Sequence, residues 1–230
     1  MSHSVHPYSH RLGIIRDWKS RWFGINKSYR TSLKTDLIIR EFLVKELRSF
    51  FLADVQIERN QKSFKVTIKS SRPGMIIGRS GDGIQKLSEK IIKLLKKKGV
   101  ELNGQEFKLD IEEVKSPEAN AAIVAMIVAE GLEKRLPFRR VLKQTLEKVL
   151  ASKEVKGAKI KLAGRLGGAE MARQEDLKKG QIPLQTLRAD IDFAKEKAHM
   201  TYGDIGIKVW IYKGQIFEKD LKAANNTNNK

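Results

Sequence analysis

Residues 72–87 read "RPGMIIGRSGDGIQKL", four glycines and two arginines around a short apolar step, with no Cys or His nearby. A glycine-rich loop serves where main chain must approach something bulky or take φ > 0, and phosphate is the first ligand to test. A Walker loop needs Gly, four residues, then Gly-Lys-Ser/Thr. Gly74 has Arg79 five positions on, and Gly78 has Gly83 followed by Ile84. The dinucleotide pattern also fails, because Gly81-Asp82-Gly83 is followed by Lys86 where the third glycine belongs. What remains is Gly78-Arg79-Ser80-Gly81, a GxxG.

A GxxG with Met75, Ile76 and Ile77 before it and a helical pattern after it matches the loop with which KH domains hold a nucleic-acid backbone against bare main chain. A helix C-cap and turn is the bland alternative, and the flanking sequence decides between them. Upstream, the spacing of Leu33, Leu37, Phe42 and Leu43 predicts a helix from Ser32 to near Arg48. Val55 and Ile57 then alternate as one strand face, Asn60-Gln61 turns the chain, and Phe64, Val66 and Ile68 form the returning strand. Downstream, Ile84, Leu87, Ile91, Leu94 and Leu95 make an apolar helical stripe, with Lys86, Lys90, Lys93 and Lys97 on another flank. Phe107, Leu109 and Ile111 add a third strand. Helix, strand, strand, GxxG, helix, strand is the order of a type II KH domain.

The charge agrees. The chain has 230 residues, 46 Lys+Arg against 27 Asp+Glu, a net charge of +19, and 40% hydrophobic residues. That suffices for two modest cores. Such an excess of positive charge is neutralised by a polyanion that releases its condensed counterions, and nucleic acid leads the candidates. A membrane does not fit: the longest apolar run, Ala121 to Ala129, is far short of the ~20 residues a spanning helix needs. The start, "MSHSVHPYSHRLG", lacks an apolar h-region and argues against secretion. The absence of cysteine removes disulfides and thiolate metal sites and fits a reducing cytosol.

Residues 1–17 form a basic N-terminal arm leading into the KH domain at 18–115. Arg11, Arg16, Lys19 and Arg21 are candidate RNA contacts, interleaved with Trp18, Trp22 and Phe23, which either stack on bases or anchor the arm. Ser116-Pro117-Glu118 reads as N-cap, N1 and acidic first turn of a new helix, and opens a second domain at 116–214. That helix, from Ala119 to Leu136, is apolar enough for a core, and Pro137 ends it. The next turns Phe138, Leu142, Leu146 and Val149 one way, and Arg139, Arg140 and Lys143 the other. By composition alone those three cations are as readily a solvated face as an RNA contact. Ile160 and Leu162 predict a strand, "GRLGGAEMARQEDLKKGQIP" a glycine-rich basic excursion carrying Arg165 and Arg173, and Leu187 to Phe193 and Ile205 to Ile211 two more strands. The fold class is therefore α+β: a type II KH domain, then two helices on an antiparallel sheet. Residues 215–230, ending "AANNTNNK", read as a polar disordered tail.

Catalytic chemistry finds little footing. Asp190 and Asp192 share a strand face that would suit Mg²⁺, but Arg188 offers one an ordinary charge partner. His3, His6 and His10 have ligand-like spacing in a flexible basic start, where RNA contact or exposure outweighs metal. No nucleophile has an identifiable base and orienting partner. No enzyme, metal or cofactor is expected.

"VHPYSHRLGI", "RPGMIIGRSGDGIQKL", "PFRRVLKQTLEKVL" and the long block from "GRLGGAEMARQ" to "VWIYKG" resemble successive signature blocks of the bacterial-type ribosomal protein three family of the small subunit, over residues 1 to about 214. The last block is highly specific to it. The resemblance implies a protein of the small-subunit head, bound to rRNA and neighbouring head proteins where mRNA enters, in a cytoplasmic ribosome, with an organellar one left open. It implies no small-molecule substrate. It puts an mRNA-unwinding patch on Arg139, Arg140 and Lys143; beside it, the KH loop at Gly78, Arg79, Ser80, Gly81 and Lys86 is the expected RNA contact of the first domain, and Arg11, Arg16, Lys19, Arg21, Arg165 and Arg173 are candidate rRNA contacts. Whether the GxxG faces RNA or protein in the particle stays open. The short Asn-rich end departs from the long basic extension of many relatives. The rival from another class is a free KH regulator or assembly factor, which a high-salt wash would strip from the small subunit.

Overall fold

The alternating apolar residues at 55–57 and 64–68 form paired strands in the computed structural model, which describes residues 5–99 and 106–217. Two units divide the chain. One is Trp18–Lys115; the other joins the chain up to Asp17 with the chain from Ser116 onward.

A short helix α1 (Pro7–His10) belongs to the second of these. The first then runs β1 (Ser20–Arg21), α2 (Asn26–Glu46), β2 (Leu52–Arg59), β3 (Ser63–Ser70), α3 (Pro73–Ile77), α4 (Asp82–Lys97) and β4 (Glu106–Glu113). The sheet order is β1-β2-β3-β4: β2 lies antiparallel to β3, and β3 parallel to β4. This is the KH arrangement, with the two-residue β1, parallel to β2, as an addition that its length hid from pattern reading. Ile57, Phe64, Val66 and Ile68 are buried on the sheet, Leu87, Ile91 and Leu95 on α4, and Ile38, Ile39 and Leu43 on α2.

The inward face of α2 corrects the sequence reading. The helix begins at Asn26 and buries Thr35, Asp36, Ile38, Ile39 and Leu43, whereas Leu33 and Leu37 are 50% and 58% exposed. An ionised residue on the inner stripe broke the apolar pattern. The Asp36 carboxylate accepts from Arg59 Nη2 at 2.6 Å, Trp22 Nε1 at 2.7 Å and Ser20 Oγ at 3.2 Å, so its charge is fully answered in the interior.

The second unit continues with a 3₁₀ turn at Pro117–Ala119, α5 (Ala121–Glu133), α6 (Phe138–Ala151), β5 (Gly157–Gly164), β6 (Arg173–Gly180), β7 (Ala189–Met200) and β8 (Gly203–Gln215). Its sheet is antiparallel, in the order β6-β5-β8-β7. Both helices bury their apolar stripes on one face of it: Val124, Val128 and Leu132 of α5 and Leu142, Leu146 and Val149 of α6 share a core with Ile160, Leu162, Ile207 and Val209. Three expectations change here. Asn120, not Ser116, caps α5, its side chain accepting from the N–H groups of Ala122 and Ile123. The basic excursion contains the edge strand β6, which is charged and almost wholly exposed, so no apolar alternation announced it. The expected tail joins the sheet at its start, Gln215 pairing with Ala189 and Ile216 N–H bonding Arg188 C=O; residues 218–230 lie outside the described ones.

Residues 5–17 are a folded part of this unit rather than an arm. They lie with the sheet face turned away from the helices, where His6 meets Phe193 edge to face at 4.7 Å. Arg11 fastens them to the segment before β7.

Candidate nucleic-acid interface

The loop between α3 and α4 is built from positive φ. Gly78, which ends α3, has φ 72° and ψ −173°, a region open essentially to glycine; Ser80 follows at φ 54° and Gly81 at φ 85°. Gly83, on the first turn of α4, has a separate duty that pattern reading missed. A Cβ there would stand 2.3 Å from the Ile76 carbonyl oxygen and 2.8 Å from that of Ile77, so only hydrogen lets α4 start against the end of α3. The result is an exposed ridge of main chain from Gly78 to Ser80, bordering the N-terminus of α4, with Arg79 and Lys86 exposed beside it. Among the described residues no carboxylate pairs with either cation, while Lys90 is held by Glu46 at 2.5 Å. Bare main chain, free cations and a helix N-terminus together suit a phosphate backbone.

In the second unit α6 offers a different surface. Val141, Leu142, Leu146 and Val149 are buried, which fixes the face that α6 turns inward, and the Thr145 hydroxyl on that face is satisfied within the helix by Val141 C=O at 2.7 Å. Arg139, Arg140 and Lys143 are consequently exposed. Among the described residues no carboxylate pairs with Arg140 or Lys143. Arg139 reaches Glu175 at 3.6 Å, and Arg173 reaches the same carboxylate at 3.4 Å, both guanidinium groups lying over the Phe138 ring. β6, the strand the sequence hid, thereby brings Arg173 beside Arg139.

The remaining candidates separate. Arg165 donates from Nε to Ala169 C=O at 2.8 Å and lies over Tyr202. Lys19 and Arg21 face Asp54 at 2.8 Å and Glu58 at 3.5 Å. Arg16 is bound to Asp190 at 2.5 Å.

Arg11 is a correction to the expected rRNA contacts. It is fully buried, with Nε donating to Ala189 C=O at 2.6 Å, Nη1 to Pro7 C=O at 3.0 Å, and Nη2 to the carbonyls of Leu184 and Thr186 at 2.9 Å and of Pro183 at 3.5 Å. Burial pushes its pKa down and Asp190 pushes it back up. No face of this guanidinium is left for phosphate.

The partner of Asp190 is Arg16 rather than the expected Arg188, and the Asp192 carboxylate accepts from the Ala121 and Phe193 N–H groups. Both acids are thereby used in holding the fold. His3 lies outside the described residues, among which no group of three His, Cys, Asp or Glu side chains is placed to hold a metal. No helix among them is long and apolar enough to cross a membrane.

Two family models match. One described as a KH domain covers residues 38–119, and one described as ribosomal protein S3, C-terminal domain, covers residues 128–211. Among curated proteins, the chain is similar to small ribosomal subunit protein uS3 of Clostridium novyi, 45% identical over 216 residues and 94% of each chain. The uS3 protein of Caldicellulosiruptor bescii is 45% identical over 224 residues and 97% of each. That of Blochmanniella floridana is 42% identical over 221 residues, 96% of this chain and 90% of the other.

Proposed function

The chain belongs to the uS3 family of small-ribosomal-subunit proteins, and from that premise we propose a non-catalytic protein of the subunit head that binds rRNA and neighbouring head proteins and touches incoming mRNA with α6. The exposed Arg140 and Lys143, unanswered by any carboxylate among the described residues and backed by a buried helix face, carry this reading. Cations so placed hold phosphate by charge without reading sequence. With Arg139 they would grip separated strands and disfavour re-annealing. No nucleotide is required, because a strand drawn from downstream supplies the work.

A protein neighbour suits another surface. Tyr29, Leu33, Leu37 and Val44 of α2 recur at helical spacing and are all about half exposed, an exposed apolar stripe of the kind found where proteins meet.

The test replaces Arg139, Arg140 and Lys143 together by Ala in the assembled subunit. The expected outcome is intact folding and assembly, slower translation of mRNAs carrying a stable hairpin, and unchanged translation of unstructured ones. Equal slowing on both templates, or none on either, would reduce the cluster to an assembly contact or a solvated face.

A further inference from the structure

Beside α6, within the same unit, the α5–α6 turn, the Arg165–Gly168 loop after β5 and the β7–β8 hairpin enclose a cleft of about 470 Å³, within the range of small-ligand pockets. Its walls are apolar and glycine-rich, Leu132, Met200 and Ile205 among them, with two arginines, Arg135 and Arg165, and two aromatic rings, Phe138 and Tyr202. Among the described residues no carboxylate lines it. Tyr202, at the tip of the hairpin, is 63% exposed. The Arg165 guanidinium lies 5.3 Å from its ring centre, and a Cβ at Gly168, held at φ 82°, would stand 3.7 and 3.8 Å from two of its ring carbons, so the loop backbone passes close beside the ring. An aromatic ring kept in place at the surface, beside a cation and over an apolar floor, is the combination on which an unstacked base settles. The rim continues the same chemistry, because Arg139 and Arg173 lie over Phe138, the first residue of α6.

We propose that this cleft receives one nucleobase of a single RNA strand, stacked on Tyr202, while Arg165 holds a flanking phosphate. The inference rests on the reading of α6 as an RNA contact and adds a base site to it: the α6 cations grip backbone, and the cleft takes a base out of the stack so that it is not free to pair again. A protein side chain is the less favoured occupant, since two arginines and, among the described residues, no acid line the walls.

The experiment uses the full chain carrying Arg79→Asp and Ser80→Asp, which repel RNA from the first unit's loop while leaving its glycines in place. Fluorescence anisotropy compares Tyr202→Ala with Tyr202→Phe on two strands of equal length, a short oligouridylate and its abasic ribose-phosphate counterpart. Tyr202→Ala should weaken the base-bearing strand by roughly 5- to 140-fold, the span that stacking of one base allows. It should leave the abasic strand and the salt dependence unchanged, and Tyr202→Phe should restore binding. Equal weakening on both strands, or on neither, with circular dichroism intact, overturns the cleft as a base site. The α6 triple variant is read in parallel. If it leaves the salt dependence unchanged while Tyr202→Ala still discriminates the strands, the α6 reading fails and the cleft stands; the reverse pattern fails the cleft alone.

Discussion

Arg11 and the α6 pair Arg139 and Arg140 carry the same group into opposite circumstances. Arg11 is wholly inside, its donors directed at the carbonyls of Pro7, Leu184, Thr186 and Ala189. Arg139 has a side chain 76% exposed and only a 3.6 Å approach to Glu175. A guanidinium's planar fork can either replace water for several carbonyls in a turn, or stay hydrated and wait for phosphate, and burial decides which. A net charge of +19 therefore overstates the charge available to RNA: part of it is structural.

That contrast makes its strongest demand at position 11. Arg11→Ala would leave several buried carbonyls without a donor, and should lower the unfolding free energy by about 3–5 kcal/mol, seen as a fall in urea midpoint at unchanged slope. Arg11→Lys should recover less than half of this, because a point ammonium cannot span the same set of carbonyls. The α6 triple variant should stay within about 0.5 kcal/mol of the wild type. A loss under about 1 kcal/mol at Arg11 would break the comparison.

The two candidate interfaces also differ in what glycine does for them. α6 needs only helix propensity and an apolar face, whereas the GxxG ridge depends on Gly83 letting two helices nearly touch. Gly83→Ala should cost about 1–3 kcal/mol through overpacking against the Ile76 and Ile77 carbonyls. It should also lower the RNA affinity of the folded protein by shifting the ridge. Wild-type stability in thermal unfolding would mean that α4 can slide away from α3 without penalty.

What the sequence made legible follows the reach of its patterns. The α4 stripe, the α6 apolar face and the strands β3, β5 and β8 were readable because their burial repeats within a few residues. Arg11 was not, since all its acceptors but Pro7 lie more than 170 residues away and all are main-chain carbonyls, which leave no mark in side-chain pattern. β6 was hidden because an exposed edge strand has no buried face to alternate. On α2 the pattern pointed to the wrong side: Leu33 and Leu37 look like core, yet the interior stripe carries Asp36 with Arg59 as its partner. The GxxG was legible as a motif, but Gly83 looked like one more glycine until α3 stood beside it.

Between the buried Arg11 and the open Arg139 stands Lys159, whose ammonium lies 2.8 Å from Asp176 on β6, with side chains 33% and 46% exposed. The hydrogen bond from Lys159 holds the Asp176 carboxyl below its ordinary value, against a smaller opposing effect of burial. A carboxylate with a depressed folded pKa adds stability above its unfolded pKa, near 3.9, and loses it as pH falls through the lower folded value. Solvent screens this pair heavily, so Asp176→Asn should cost only about 0.5 kcal/mol at pH 6, and less in high salt. The difference from wild type should shrink as the pH is taken below about 4 and vanish once both forms of the wild-type carboxyl are protonated. Urea midpoints of the two proteins across that range check the sign. A gap that widened on acidification would mean that Asp176 is better tolerated protonated, and that the edge strand is held by something other than its surface charges.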